Sequence, residues 1–167
     1  MMTHPDEVLA DLEEKRLRRP KPMGVDPATE AGIAFDSDRL GFVLQTINIE
    51  DSALVQQVCV EARDAGVTHA FVEDAYMGPN VGSFKTLVEI RTHWMLRLSD
   101  LGIEVRSVTA STWKAKMIPG VQKRAPQKEA AYNLARELGH DPDDDNQADA
   151  VCLYEFGRRV LDDEKEQ

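Results

Sequence analysis

The sequence predicts an α/β layered domain built on a mixed sheet of five strands. Two observations carry that reading. Three short apolar runs, Met23 to Asp26, Gly32 to Phe35 and Leu40 to Ile47, follow one another too closely for anything but antiparallel hairpin connections. Beyond residue 50 the period changes, and apolar stripes at helical spacing alternate with two further strand-like runs, His69 to Glu73 and Ile103 to Val108. A meander that passes into alternating strands and helices calls for a sheet covered by helices.

Taken in order, Met1 to Pro22 reads as a basic, polar arm with one weak amphipathic stretch around Val8, Leu9 and Leu12, closed by Pro20 and Pro22. The folded domain spans residues 23–161, and residues 162–167 form an acidic tail. After the three opening strands, a helix over 51–65 keeps Leu54, Val55, Val58, Cys59 and Ala62 on one stripe, with Gly66 as its stop. The fourth strand leads through the loop DAYMGPN to a long helix over 81–101. Its stripe is Phe84, Leu87, Val88, Trp94, Met95, Leu98 and Leu101; Val81 and Ile90 fall outside it and fit either an interface or a thick core. Gly102 ends that helix before the fifth strand. A short helix around Trp113 precedes the basic loop PGVQKRAPQ, and Pro126 opens a helix through Ala130, Leu134 and Leu138 that Gly139 ends. The last helix starts in the aspartate run and continues to about Val160.

Composition narrows the function. The chain has 167 residues, 42% of them hydrophobic, which is enough for one core. No apolar stretch approaches the roughly 20 residues a membrane span needs, so no membrane partner is expected. The first residues hold acids and lack an apolar h-region, so a cytoplasmic location is expected. Cys59 and Cys152 fall in apolar helical patterns and read as core thiols; neither belongs to a zinc spacing. The net charge of −10 argues against nucleic acid, but its distribution does not. Lys114, Lys116, Lys123, Arg124 and Lys128 stand in a segment without a single acid, and Lys15, Arg16, Arg18, Arg19 and Lys21 form a second cluster. Phosphates respond to local potential more than to net charge.

Three acids interrupt apolar elements: Asp26 in MGVDPATEAGIAF, Glu73 at the end of THAFVED, and Asp149 in ADAVCLYEF. A buried carboxylate is destabilising unless a cation meets it, and bound divalent metal is one answer that serves all three. A turn aspartate and a strand-end charge remain the plain alternatives for Asp26 and Glu73. Asp143 and Asp144 suit helix caps, whereas Asp149 lies a full turn further in. Asn146 and Asp145, three and four residues before Asp149, share its helix face. Oxygen ligands alone favour Mg²⁺ or Mn²⁺ over zinc.

In this element order, the motifs resemble the RuvC family of Holliday junction resolvases, within the RNase H-like nuclease superfamily, with a phage-type member as one option. The resemblance covers about Met23 to Phe156. GVDPATEAGIAF is similar to the family's first-strand motif, with Asp26 as its catalytic aspartate. EDAYMGPNVGSFKTL is similar to the segment that opens with the catalytic glutamate, Glu73. Tyr76 matches a position that the family uses to stack on junction bases, and DNQADAVCL resembles the closing acidic helix, with Asp149 as the final aspartate. The family carries an acid or histidine where Asn146 stands; asparagine offers a carbonyl oxygen without charge, and Asp145 is its neighbouring substitute. Glycine is common in the family where Ala28 stands.

The resemblance implies a three-layer RNase H-like fold and two Mg²⁺ or Mn²⁺ ions per active site. Asp26 would be shared between the ions, with Glu73 and Asp149 flanking and Asn146 or Asp145 as a fourth ligand. It places Lys114 and Lys128 near the scissile phosphate, with Lys116, Lys123 and Arg124 as further DNA contacts beside Tyr76. The implied partner is a four-way (Holliday) or other branched DNA. A homodimer would nick it symmetrically to leave 5′-phosphate and 3′-hydroxyl ends. Other RNase H-like nucleases, acting on RNA–DNA hybrids or flaps, would use the same carboxylates. A non-catalytic junction-binding protein would need the basic loop and Tyr76 but no metal. An actin-like ATPase also opens with a Gly-x-Asp strand, but this chain is too short for two lobes and lacks repeated phosphate loops.

Overall fold

The computed structural model describes residues 19–167. The amphipathic stretch around Val8 and the cations Lys15, Arg16 and Arg18 lie outside the described residues. Within them the order is β1 (Pro22–Asp26), β2 (Glu30–Ser37), β3 (Gly41–Asn48), α1 (Ser52–Asp64), β4 (His69–Glu73) and α2 (Val81–Asp100). Then follow β5 (Glu104–Val108), α3 (Ala110–Met117), α4 (Arg124–Glu137) and α5 (Asp145–Lys165).

The five strands form one sheet in the order β3-β2-β1-β4-β5. The meander pairs antiparallel, while β1–β4 and β4–β5 are parallel, so β1 sits at the centre of a mixed sheet. Alternation along each strand divides the core in two. Met23, Val25, Ile33, Phe35, Ala70 and Val72 face α1 and α2, where Val55, Val58, Trp94 and Leu98 meet them. Phe71 faces Trp113, Met117, Leu153 and Phe156, and Ala34 faces Ala150 and Val151, on the side covered by α3, α4 and α5. The result is the three-layer α/β/α arrangement expected of the RNase H-like class.

All the described helices but α4 begin where a short polar side chain meets a free amide. Asp51, Asn80, Thr109 and Asp144 each accept from the amide three residues on. Gly66 and Gly102 end α1 and α2 in the left-handed region, at φ 81° and 79°, where a side chain would be strained. Helix α5 runs to Lys165, beyond the fading of its apolar pattern near Val160. Asp162 pairs there with Arg158 and Lys165, and these contacts support a solvated final turn. Pro126 sits in the first turn of α4, not at its opening position, because the amide it lacks is unneeded there.

In α2 the structure decides between an interface and a thick core for Ile90. Ile90, outside the expected stripe, is only 7% exposed and packs with Trp94 and Leu98 at four-residue spacing, so the core takes it and an interface cannot. Val81 and Leu96 are the exposed apolar residues of this helix.

Candidate functional site

Asp26 and Glu73 are the last residues of neighbouring parallel strands in which Val25 is opposite Val72, so both side chains emerge at one sheet end. Strand parity turns them toward α5, because Gly24 and Phe71, two residues before each, lie under that helix. The approach of α5 depends on missing side chains. A Cβ on Gly32 would lie 1.9 Å from the Asn146 carbonyl oxygen, and one on Gly24 would lie 2.1 Å from that of Ala150. Further along, a Cβ on Gly157 would strike the Phe71 ring at 2.3 Å. Three glycines therefore let the helix lie against β2, β1 and β4 in turn, and Asp149 is brought down beside Asp26.

The three carboxylates are half-buried and repel one another. Burial first, then Glu73 and Asp149, pushes the Asp26 carboxyl well above the usual carboxylate range, against the pull of Lys114. Burial and Glu73 likewise raise Asp149 to about 7, with Lys114 and Lys128 opposing. Burial raises Glu73 too, countered by the Trp113 N–H and by Lys114. Such a cluster holds protons because cations are too few. Among the described residues, no three Asp, Glu, His or Cys side chains are gathered tightly enough to enclose one ion. Like charges at half-buried positions keep apart, and electrostatic reach, not ligating contact, links these three.

Helix α3 supplies two neighbours. The buried indole of Trp113 donates from Nε1 to Glu73 Oε2 at 2.6 Å, and the Lys114 ammonium lies 5.0 Å from the centre of the same ring. Sequence reasoning used Trp113 only as a landmark for a short helix. A tryptophan directly before the candidate lysine was the available signal. Beside the acids opens a cleft of about 710 Å³. Asp74 to Met77 form one wall, and residues of α3 with the loop after it, Lys114, Ile118 and Val121 among them, form the other.

No protein-family model matches the chain, and no curated protein matches its sequence. Solved structures do match its shape. Thermus thermophilus RuvC in complex with a Holliday junction substrate superposes with a TM-score of 0.60 at 12% identity, over 84% of this chain and 96% of that one. The chain has the RuvC resolvase fold. A second Thermus thermophilus RuvC structure gives 0.54 at 12% identity, over 87% and 96% of the two chains. The yeast mitochondrial Holliday junction resolvase gives 0.51 at 9%, over 99% and 89%.

Within this RuvC-like fold the remaining candidates separate. Tyr76 is 78% exposed at the cleft's rim, next to the equally open Met77. The root of their loop is held by Asp74, which pairs with Arg91 Nε at 3.1 Å while Arg91 also donates to Ser107 at 2.8 Å. Lys123 and Arg124 are exposed where the cleft's loop enters α4. Lys128 forms an ion pair with Asp145, and Asn146 donates from Nδ2 to the Glu30 carbonyl at 2.6 Å. Both fourth-ligand candidates thus hold other partners. Asp144 caps α5 and bonds Thr46, and its charge also reaches Asp26.

Lys116 does not join the group. Two residues along a helix turn a side chain by about 200°. Its ammonium pairs with Asp163 at 3.2 Å and lies 5.7 Å from the Phe156 ring centre, away from the cleft. The histidines stand apart as well: His69 pairs with Glu104, His93 accepts from Arg97, and His140 stacks on Phe42 at 3.7 Å.

Proposed function

We propose that this chain is a divalent-metal-dependent endonuclease. It resolves Holliday junctions, and related branched DNA, by paired symmetric nicks that leave 5′-phosphate and 3′-hydroxyl ends. The observation that carries the reading is that Asp149 of α5 comes down on Asp26 and Glu73, the carboxyl ends of adjacent parallel strands, where Glu73 raises the proton affinity of both other acids and Asp149 that of Asp26. The likeness to RuvC supplies the substrate class.

The donor set suits a hard cation: three carboxylates, no thiol or imidazole, and charge that burial leaves uncompensated. Asp26, Glu73 and Asp149 would hold two Mg²⁺ or Mn²⁺ ions, which when bound supply water activation and leaving-group stabilisation. Asn146 would join them through Oδ1, which its Nδ2 bond to the Glu30 carbonyl does not use, or Asp145 by giving up Lys128. When Asp145 leaves Lys128, that ammonium becomes free to meet a phosphate. Lys114, held over the Trp113 ring, offsets charge that develops on the phosphoryl oxygens. Tyr76 stacks against unpaired bases at the crossover, and Lys123 and Arg124 follow the backbone of one arm. A homodimer would present two such sites to the two-fold junction.

The test is cutting of a mobile four-way junction in Mg²⁺, with mapped nicks. Symmetric nicks that vanish in chelator and with Asp26→Asn, while junction binding survives, support the proposal. Preference for an RNA–DNA hybrid or a flap would move the chain to the wider nuclease superfamily; junction binding without any cutting, equal in the native chain and Asp26→Asn, would make it a binding protein.

A further inference from the structure

Trp94 and Trp113 are the chain's two tryptophans, and both are fully buried. Their N–H groups differ. Trp94 Nε1 has no hydrogen-bond partner among the described residues. Trp113 Nε1 instead points at a carboxyl oxygen, Glu73 Oε2, and meets it at 2.6 Å, a short contact for an N–H donor.

We infer that Trp113 is a positioning residue of the metal site: its indole edge fixes the Glu73 carboxylate, and its ring face holds Lys114 over the acids. The inference rests on the nuclease reading above. Indole nitrogen is a donor only, so the bond cannot invert to release Glu73. With Oε2 bound to the indole, Oε1 is the oxygen left to face a cation. The same ring seats the Lys114 ammonium at 5.0 Å from its centre, within the distance at which an aromatic face attracts a cation. Lys114 in turn lowers the proton affinity of all three carboxylates. One rigid side chain with two torsions thereby sets the direction of a ligand and the position of a charge, and α3 packs both against the sheet.

Phenylalanine would remove the N–H but also leave a void, so a closer probe is an amino acid with sulfur in place of the indole nitrogen. Benzothienylalanine at position 113 keeps the ring shape and loses only the donor. Calorimetric titration with Mn²⁺ alone measures ion binding, and junction cleavage measures turnover. Partners that orient a metal ligand are typically worth about 10- to 100-fold in metal affinity or activity. The expected result is Mn²⁺ binding weakened by about 10-fold or more, and kcat lowered comparably, with junction affinity in chelator and thermal unfolding unchanged. Junction cutting by the native protein, with equal Mn²⁺ affinity and kcat in the variant, would overturn the inference and leave the nuclease reading intact. A native protein that binds Mn²⁺ but cuts no branched DNA would overturn the nuclease reading alone; weaker binding in the variant would still support the role of Trp113.

Discussion

Gly24 and Ala150 are packed backbone to backbone: a methyl group on the glycine would fall 2.1 Å from the Ala150 carbonyl oxygen. This contact sets the height of α5 above β1, and with it the distance between Asp149 and Asp26. Gly24→Ala forces the helix away from the sheet. Overpacking of this kind costs about 1–3 kcal/mol, or more where the obstacle is backbone. The expected outcome is a melting temperature lowered by several degrees together with a loss of metal-dependent cutting. Activity retained in a destabilised variant would show that the site does not depend on this spacing.

The raised Asp149 carboxyl gives a pH dependence of definite sign. Folded, it titrates near 7 because burial and Glu73 oppose its charge; unfolded, an aspartate titrates at about 3.9. The folded chain thus binds this proton more tightly. The stability it contributes is complete below about pH 4 and is lost as pH rises through about 7. In chelator the protein should melt lower at about pH 8 than at about pH 5, and Asp149→Asn should raise the melting temperature at the higher pH. Mg²⁺ should stabilise the native protein more at the higher pH, where fewer protons compete. Scanning calorimetry at the two pH values decides this, and identical melting of the native chain and the Asp149→Asn variant in chelator would contradict it.

Arg91 anchors Asp74 at 3.1 Å, and Asp74 begins the loop that carries Tyr76 and Met77. Asp74 is partly exposed, so the pair itself is worth no more than about 1 kcal/mol of global stability. Its local effect should be larger. Arg91→Ala is expected to speed hydrogen exchange in residues 74–80 and to reduce junction cleavage several-fold, with the melting temperature nearly unchanged. Unaltered exchange in that loop would remove Arg91 from any part in substrate recognition.

The basic residues divide by face. Each lost phosphate contact lowers the slope of log affinity against log salt by about 0.9. Replacing Lys123 and Arg124 together by alanine should therefore lower it by about 2, whereas Lys116→Ala should leave it unchanged. Salt titrations of junction binding measure both. A reduced slope for Lys116→Ala would mean that the Asp163 pair opens on DNA.

Much of this was legible in the sequence because its signals are local. Short apolar runs showed β1 and β4 as strands with an acid at the end, and the first turn of α5 identified which aspartates cap and which does not. What stayed hidden depends on contact between distant elements. Gly32 and Gly157 looked like ordinary small residues until α5 was seen against them. Ile90 could be read as core or interface because the stripe of α2 was drawn around Phe84, Leu87 and Val88, which turn out half-buried at its margin. The split between Lys114 and Lys116 was available from helical spacing alone, since a short helix around Trp113 already put them on different faces. The Trp113 bond to Glu73 joins residues 40 apart in sequence, so a tryptophan beside Lys114 could point to the site but not to its partner there.

The cluster of acids is assembled from the first strand of the sheet and the final helix of the domain. A polypeptide interrupted anywhere before residue 149 would retain at most two of the three carboxylates and, as a nuclease, could not cut. Under the nuclease reading, competence would therefore wait until α5 had docked against the sheet.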